Sequence, residues 1–446
     1  MASHKNMPLF TMLPVLVVLF AGIGGTAQAQ SLAALYQKAQ DYDASYQSAR
    51  QQALATVAHS EQARAGILPS VNLGADVSQT NQTSSYSPYD ARNYNTQSAA
   101  ITATQPLYRP ANWAAYEQGQ RQIEGAQAQL RAAEQDLIVR TSQAYFDVLA
   151  AADNLTFVRS QKAAVAEQLA SARRNFEVGT ATVVDTRDAQ ARYDLVVAQE
   201  LAADNDLRVK SLALDQLVGL SASAPKPLRA PLTLPGVVPA DVETWVKQSQ
   251  ENNPALLPLQ VALDVAKLET QKAQAGHLPT LDLVGSYSAS NNSGSLQSSA
   301  AYTLNQGSIG VNFNLPLYAG RSIENRVKET LALEDKARSD LEAAQRNTAQ
   351  STRTAYLGLL SSLAQVQAYE AAQSSSQSAL EANQLGYQVG VKINIDVLNA
   401  QSQLYSTMAS LSKSRYDVLM GGLKLRQASG TLQPSDLDRI TALLQD

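Results

Sequence analysis

The chain is written twice, and that duplication limits what it can fold into more than any other feature. Gly66-Ile67-Leu68-Pro69 returns as Gly276-His277-Leu278-Pro279, and Pro106-Leu107-Tyr108 returns as Pro316-Leu317-Tyr318, both 210 residues on. Further along, Ala144-Tyr145 returns as Ala355-Tyr356, Val178-Gly179 as Val389-Gly390, Asp185 as Asp396 and Ala189-Gln190 as Ala400-Gln401, now 211 residues on. Ordered matches at a nearly constant offset mark an internal repeat with one residue inserted. The first copy spans 30–219 and the second 240–430. Between them, residues 220–239 carry prolines at 225, 227, 231, 235 and 239, a density that precludes a helix. Residues 431–446 form a C-terminal tail.

Each copy repeats one order of elements. A polar, Ala- and Gln-rich helix comes first, over 31–66 and again over 240–276, ended by a Gly and a Pro. Two strands follow. Val71, Leu73, Ala75 and Val77 alternate with Asn72, Asp76 and Ser78, and Ala99, Ile101 and Ala103 alternate with Thr102 and Thr104. The second copy repeats the alternation through Leu281, Leu283, Gly285 and Tyr287, then Ile309, Val311, Phe313 and Leu315. Period two gives each strand one apolar and one polar face. The strands alone fit an outer-membrane barrel and a soluble sandwich equally. Polar loops, 79–96 and 288–303, join each pair, and Tyr108 and Tyr318 at strand ends suit an aromatic girdle.

A long helix then runs from Ala111 to Glu177 without a proline, its apolar and small residues in steps of three and four. Sixty-seven residues at 1.5 Å each span ~100 Å, which no compact domain needs. Ser322 to Gln388 repeats it, and after Gly179 and Gly390 a second helix returns in each copy.

Composition narrows the function. Lys and Arg number 35 against 39 Asp and Glu, for a net charge of −4, and no basic patch suggests a nucleic-acid partner. There is no cysteine, which removes disulfides, thiol catalysis and cysteine metal sites. Of three histidines, His4 lies in the leader, and His59 and His277 match no metal spacing. No nucleophile elbow or phosphate loop appears, so no enzyme activity, cofactor or metal is expected. Residues 1–29 read as a signal peptide: Lys5, an apolar stretch from Leu9 to Ile23, then Ala27-Gln28-Ala29 as cleavage site. The mature chain is then exported, and strands must make any membrane crossing. Trp113 is placed at the strand-to-helix junction and Trp245 in the helical collar.

Four strands cannot close a membrane barrel, because the sheet edges would stay unpaired in lipid. The chain must assemble with its own copies. Three would give 12 strands; two or four are also compatible with closure.

Asn175 to Asp185, Asn-Phe-Glu-Val-Gly-Thr-Ala-Thr-Val-Val-Asp, resembles the periplasmic tip of TolC-family proteins, and so does Gly386 to Ala400. Gly430 to Leu437 resembles the family's C-terminal segment. The resemblance covers essentially the whole mature chain. It implies a mainly α fold: two structural repeats, an α-helical tunnel, and four strands per subunit in a 12-stranded barrel shared by a homotrimer in the outer membrane. It also implies a periplasmic adaptor and an inner-membrane pump, ABC-type or proton-driven, with export of small molecules or proteins.

The resemblance further implies roles for residues. Asp396 would line the pore entrance as a ring of carboxylates, with Asn399 where the family often has a second aspartate. Tyr387 and Lys392 would tie the inner coil to Gln168 and Asp185 of the outer one as a gate latch, Lys replacing the family's Arg. The tips Val178-Gly179-Thr180 and Val389-Gly390-Val391 would meet the adaptor, the second departing from the family pattern at its third position. Read without the resemblance, Asp185 and Asp396 are acids in a first helical turn, which the helix dipole favours. The rival readings are a periplasmic adaptor, which would carry one hairpin rather than two, and a coiled-coil scaffold, which leaves the strands unexplained.

Overall fold

The computed structural model describes residues 30–85, 92–229 and 233–445; the leader sequence lies outside them. In each repeat the first helix is two helices. Leu32–Tyr42 (α1) and Ala44–Arg64 (α2) meet at Asp43, and Val242–Asn252 (α5) and Leu257–Gln274 (α6) are parted beyond Asn253. Tertiary partners fix both breaks. Asp43 accepts from Tyr46 N at 2.7 Å as the cap of α2, and Arg140 donates to its two oxygens at 2.9 and 3.0 Å. Asn253, 210 residues later, donates to Ala428 O at 2.8 Å and accepts from Ala255 N at 2.9 Å.

The strands are Ser70–Gln82 (β1), Arg92–Tyr108 (β2), Thr280–Asn292 (β3) and Tyr302–Asn314 (β4). They run further into the polar loops than alternation suggests, because the ladder is made by main-chain groups and needs no apolar side chain. One antiparallel sheet holds them in the order β1-β2-β3-β4. The hairpins superimpose in number as well as shape: Ser70 faces Thr104, and Thr280 faces Asn314, each member 210 further on. Opposed residues share a face. Leu73 lies opposite Ile101, Ile101 opposite Tyr287, and Gly285 opposite Ile309, so one apolar face crosses the sheet. The other face is polar, with Thr102 between Asn72 and Ser286.

The long helices are Pro110–Glu177 (α3) and Ser322–Gln388 (α7), of 68 and 67 residues. Their return helices are Val183–Val218 (α4) and Asn394–Ala428 (α8). Helix α3 packs along α4 and α7 along α8, and α8 also lies against α3, joining the two coils. The tail adds a short helix, Ser435–Thr441 (α9), that the sequence pattern does not announce. It is held by burial of Leu437 and Ile440 in a collar core with Leu35, Tyr145, Phe146, Leu214 and Leu423. Trp245 is buried against Tyr356, Leu359 and Leu425, and Trp113 is exposed at the start of α3. Among the described residues, no helix is long and apolar enough to cross a membrane.

The chain exposes 27300 Å², whereas a compact protein of 47.7 kDa would expose about 16,000 Å². Much of the excess is apolar. Val71, Leu73, Val77, Ile309, Val311 and Phe313 stand exposed on the sheet, and Leu201, Leu212, Leu357 and Leu385 on the coils. Surface of this kind calls for lipid or further protein.

Candidate functional site

The two coils end in the same turn. Val178 and Val389 leave their helices at φ −90°, ψ 3° and φ −91°, ψ 3°. Gly179 and Gly390 both take φ +80°, a conformation that favours glycine. Thr180 N donates to Asn175 O, and Val391 N donates to Gly386 O, both at 2.8 Å. The tip residues Val178, Val389 and Val391 are exposed, with Val391 at 79%. Thr180, also exposed, adds a hydroxyl bond to Asn175 O at 3.1 Å that Val391 lacks.

The return helices start differently. In the first repeat Thr182 caps α4. Its hydroxyl accepts from Asp185 N at 3.2 Å, and Asp185 Oδ2 accepts from Thr182 N at 3.0 Å. This capping box occupies the Asp185 carboxylate locally. In the second repeat the cap position is Ile393, which has no side-chain oxygen, so Asp396 has no box to close. Its carboxylate stands 3.5 Å from Lys392 Nζ, with both side chains partly exposed.

The four residues expected to form a latch lie along the seam between the coils, bonded otherwise than expected. Tyr387 OH accepts from Asn175 Nδ2 at 3.2 Å, while its ring packs near Leu380, Val397 and Leu404. Lys392 pairs with Asp396, one helical turn away, and the Asp185 carboxylate is occupied by Thr182. Gln168 Nε2 donates to Asn394 Oδ1. Asn394, 1% exposed, donates through Nδ2 to Asp185 O at 3.4 Å. The first residue of α8 is thereby stitched to both helices of the outer coil. Beside it, Leu398 is fully buried among Val165, Leu169, Ala172 and Val196 of that coil. One turn on, Arg192 donates to Asn399 Oδ1 at 2.7 Å, so Asn399 also serves as a tie.

Asn394, Asn175 and Arg192 escape sequence reasoning. The available signal was a mismatch between the copies: Asn394 stands where the first repeat has Val183, which is exposed. Asn394 is buried where Val183 is not, and a buried amide needs hydrogen-bond partners.

At the other end of α3, Arg109 donates from Nε to Asp282 Oδ1 at 2.7 Å, and from Nη2 to Oδ2. Asp282 is 4% exposed. This fork-on-fork pair fastens β2 to β3 where the sheet gives way to helix.

A family model described as "Outer membrane efflux protein" matches residues 35–220 and 245–431. The outer membrane protein TolC of Vibrio cholerae is 34% identical over 438 residues, covering 97% of this chain and 98% of that protein. The alkaline protease secretion protein AprF of Pseudomonas aeruginosa is 31% identical, covering 91% of this chain and 86% of that protein. The crystal structure of the outer membrane protein VceC from Vibrio cholerae matches with a TM-score of 0.77 at 18% identity, over 90% of this chain and 96% of that one. With the family model matched through both repeats and TolC similar from end to end, the chain belongs to the TolC family of outer-membrane export channels.

Proposed function

We propose that three copies of this chain close a 12-stranded barrel in outer-membrane lipid and continue it as a helical tunnel through the periplasm. The observation that carries this reading is the sheet. Its apolar face is continuous, its edge strands β1 and β4 have no outer partner among the described residues, and long helices lead away from its base. Unpaired main-chain edges are not tolerated in hydrocarbon, so the sheet must close, and closure recruits further copies.

The far ends of the helices form the entrance in this reading. Three Asp396 carboxylates, free of capping duty, would focus a negative potential there and favour cations. Lys392 at 3.5 Å partly offsets that charge while the latch is shut. Asn394, Gln168, Tyr387 and Asn175 hold the coils together, and their release would widen the entrance. The exposed turns Val178-Gly179-Thr180 and Val389-Gly390-Val391 are the docking points for a periplasmic adaptor that connects the duct to an inner-membrane pump. AprF is named for secretion of an alkaline protease, which supports polypeptide as one cargo.

Mass measurement of the purified protein in detergent, followed by planar-bilayer recording, tests this reading. A mass of three chains and small, cation-selective openings are expected. A folded protein that forms no channels, or remains a single chain, would contradict it.

A further inference from the structure

The repeat contains a template for the missing seam. Inside one chain β2 of the first repeat pairs with β3 of the second. In a closed ring β4 of one subunit must pair with β1 of the next, and these are the same two strands with their repeats exchanged. Moving the β2 member forward by 210 and the β3 member back by 210 converts each internal pair into a pair across the seam. Ile101↔Tyr287 becomes Val311↔Val77, Ala103↔Gly285 becomes Phe313↔Ala75, and Gln105↔Leu283 becomes Leu315↔Leu73.

We propose that β4 of one copy and β1 of the next join in this register, with Val311 opposite Val77. The proposal rests on the closed-barrel reading above and goes beyond it by fixing which residues meet.

Two independent features support this register. The first is chemical. Val77, Ala75 and Leu73 meet Val311, Phe313 and Leu315, so the apolar face crosses the seam without a step. A slip of one residue would turn every side chain of a strand to the wrong face. The second is the length of β4. Strand β2 runs from Arg92 to Tyr108, but β4 stops at Asn314, four residues short of Tyr318, the counterpart of Tyr108. The additional part of β2 continues past Thr104, which faces Ser70 at the start of β1, and is held by β3 alone: Gln105 by Leu283, Pro106 by Asp282 and Tyr108 by Leu281. The corresponding residues of β4 lack that partner within one chain, and Leu317 and Tyr318 stand 91% and 83% exposed. In the assembled seam Leu315, Pro316 and Tyr318 face Leu73, Asn72 and Val71, and β4 extends to the length of β2.

The seam differs from its template in one respect. Asn72 occupies the position of Asp282, and Ala319 that of Arg109, so the forked ion pair is confined to the junction inside the chain. The internal junction is fastened before assembly, and the seam closes on main-chain bonds and apolar pairs.

The chain has no cysteine, so introduced pairs report without background. Disulfides would be formed by mild oxidation in membranes and read on non-reducing gels. The double variant Val77→Cys/Val311→Cys is expected to give linked dimers and trimers. Its yield should match the intrachain link of the calibrating variant Ile101→Cys/Tyr287→Cys. Ala75→Cys/Val311→Cys and Gln79→Cys/Val311→Cys should give about tenfold less, because diagonal neighbours sit ~7–8 Å apart rather than ~5 Å. A higher yield in either shifted pair would overturn the register and leave the closed ring standing. Absence of linkage in every intersubunit pair, with the calibrating link intact and a mass of three chains, would also overturn it. The same absence with a mass of one chain would defeat the barrel reading itself.

Discussion

The two repeats share a backbone and divide the labour at four matched positions. At the tips, the first repeat closes its return helix with Thr182 and Asp185, while the second puts Ile393 and Asp396 in those places. The same aspartate therefore closes a capping box in one copy and faces Lys392 in the other. One residue after the cap, exposed Val183 corresponds to buried Asn394. In the sheet, Asn72 corresponds to Asp282, and at the helix breaks Asp43 corresponds to Asn253. Duplication kept the geometry and let polar chemistry diverge, and each divergence can be reversed by exchanging one residue.

The largest effect is expected in the sheet. Asp282→Asn gives the internal junction the residue of the seam and leaves Arg109 without its carboxylate. Arg109 is itself 41% exposed and can turn to solvent, so the loss is that of its charge-assisted bonds, about 1.5–3 kcal/mol. It should lower the denaturation midpoint of the isolated subunit, whereas Asn72→Asp, with Ala319 at the position of Arg109, gains no cationic partner and should leave it nearly unchanged. Equal small effects would mean that the pair fastens nothing.

Next comes the latch. Asn394→Val restores the residue of the first repeat and removes the acceptor for Gln168 and the donor to Asp185 O. A buried group left unpaired costs about 1–3 kcal/mol, which should appear as a several-fold increase in open probability in single-channel records. Val183→Asn, at an exposed site, should change nothing measurable. An unaltered Asn394→Val channel would remove Asn394 from the latch.

A smaller effect attaches to the caps. Thr182→Ala should cost about 1 kcal/mol of stability. The converse substitution, Ile393→Thr, supplies the missing hydroxyl and should draw the Asp396 carboxylate into a capping box. Stability should rise slightly and cation binding at the entrance weaken; cation binding that persists unchanged would show that capping and entrance roles do not compete.

The smallest effect concerns acid. Hydrogen bonds from the Arg140 side chain hold the Asp43 carboxyl below its usual range, against the opposing effect of its burial. A carboxylate depressed in the folded state contributes stability above its unfolded pKa and loses it as pH falls through the folded value. Hydrogen exchange around the α1–α2 joint should therefore quicken below about pH 4, whereas the α5–α6 joint, held by the non-titrating Asn253, should not respond. Parallel changes at both joints would point to global loosening instead.

How far the sequence could be read follows the range of the forces involved. Period-two strands and proline-free helices are local patterns, and the repeat offset was visible in part because the tip turns at Gly179 and Gly390, both at φ +80°, tolerate few other residues. The breaks at Asp43 and Asn253 were not visible, because Arg140 and Ala428 O lie far along the chain. The tail helix α9 was hidden for the same reason: its stability comes from a collar core assembled by α1, α3, α4 and α8. The four residues expected to form a latch do fall near one another along the seam, but Tyr387 bonds to Asn175 and Lys392 pairs with Asp396. Asp185 had a nearer partner in Thr182, and the amide that stitches the coils, Asn394, stood among apolar neighbours.

The central claim is that Asp396, and not its twin Asp185, gives the duct its charged entrance. Block of single channels by a trivalent cation added on the tip side, compared between Asp396→Ala and Asp185→Ala, tests it most directly. The account predicts that the Asp396 variant escapes block while the Asp185 variant, though less stable, is blocked like the parent. Equal block in both variants, or escape only on loss of Asp185, would contradict it.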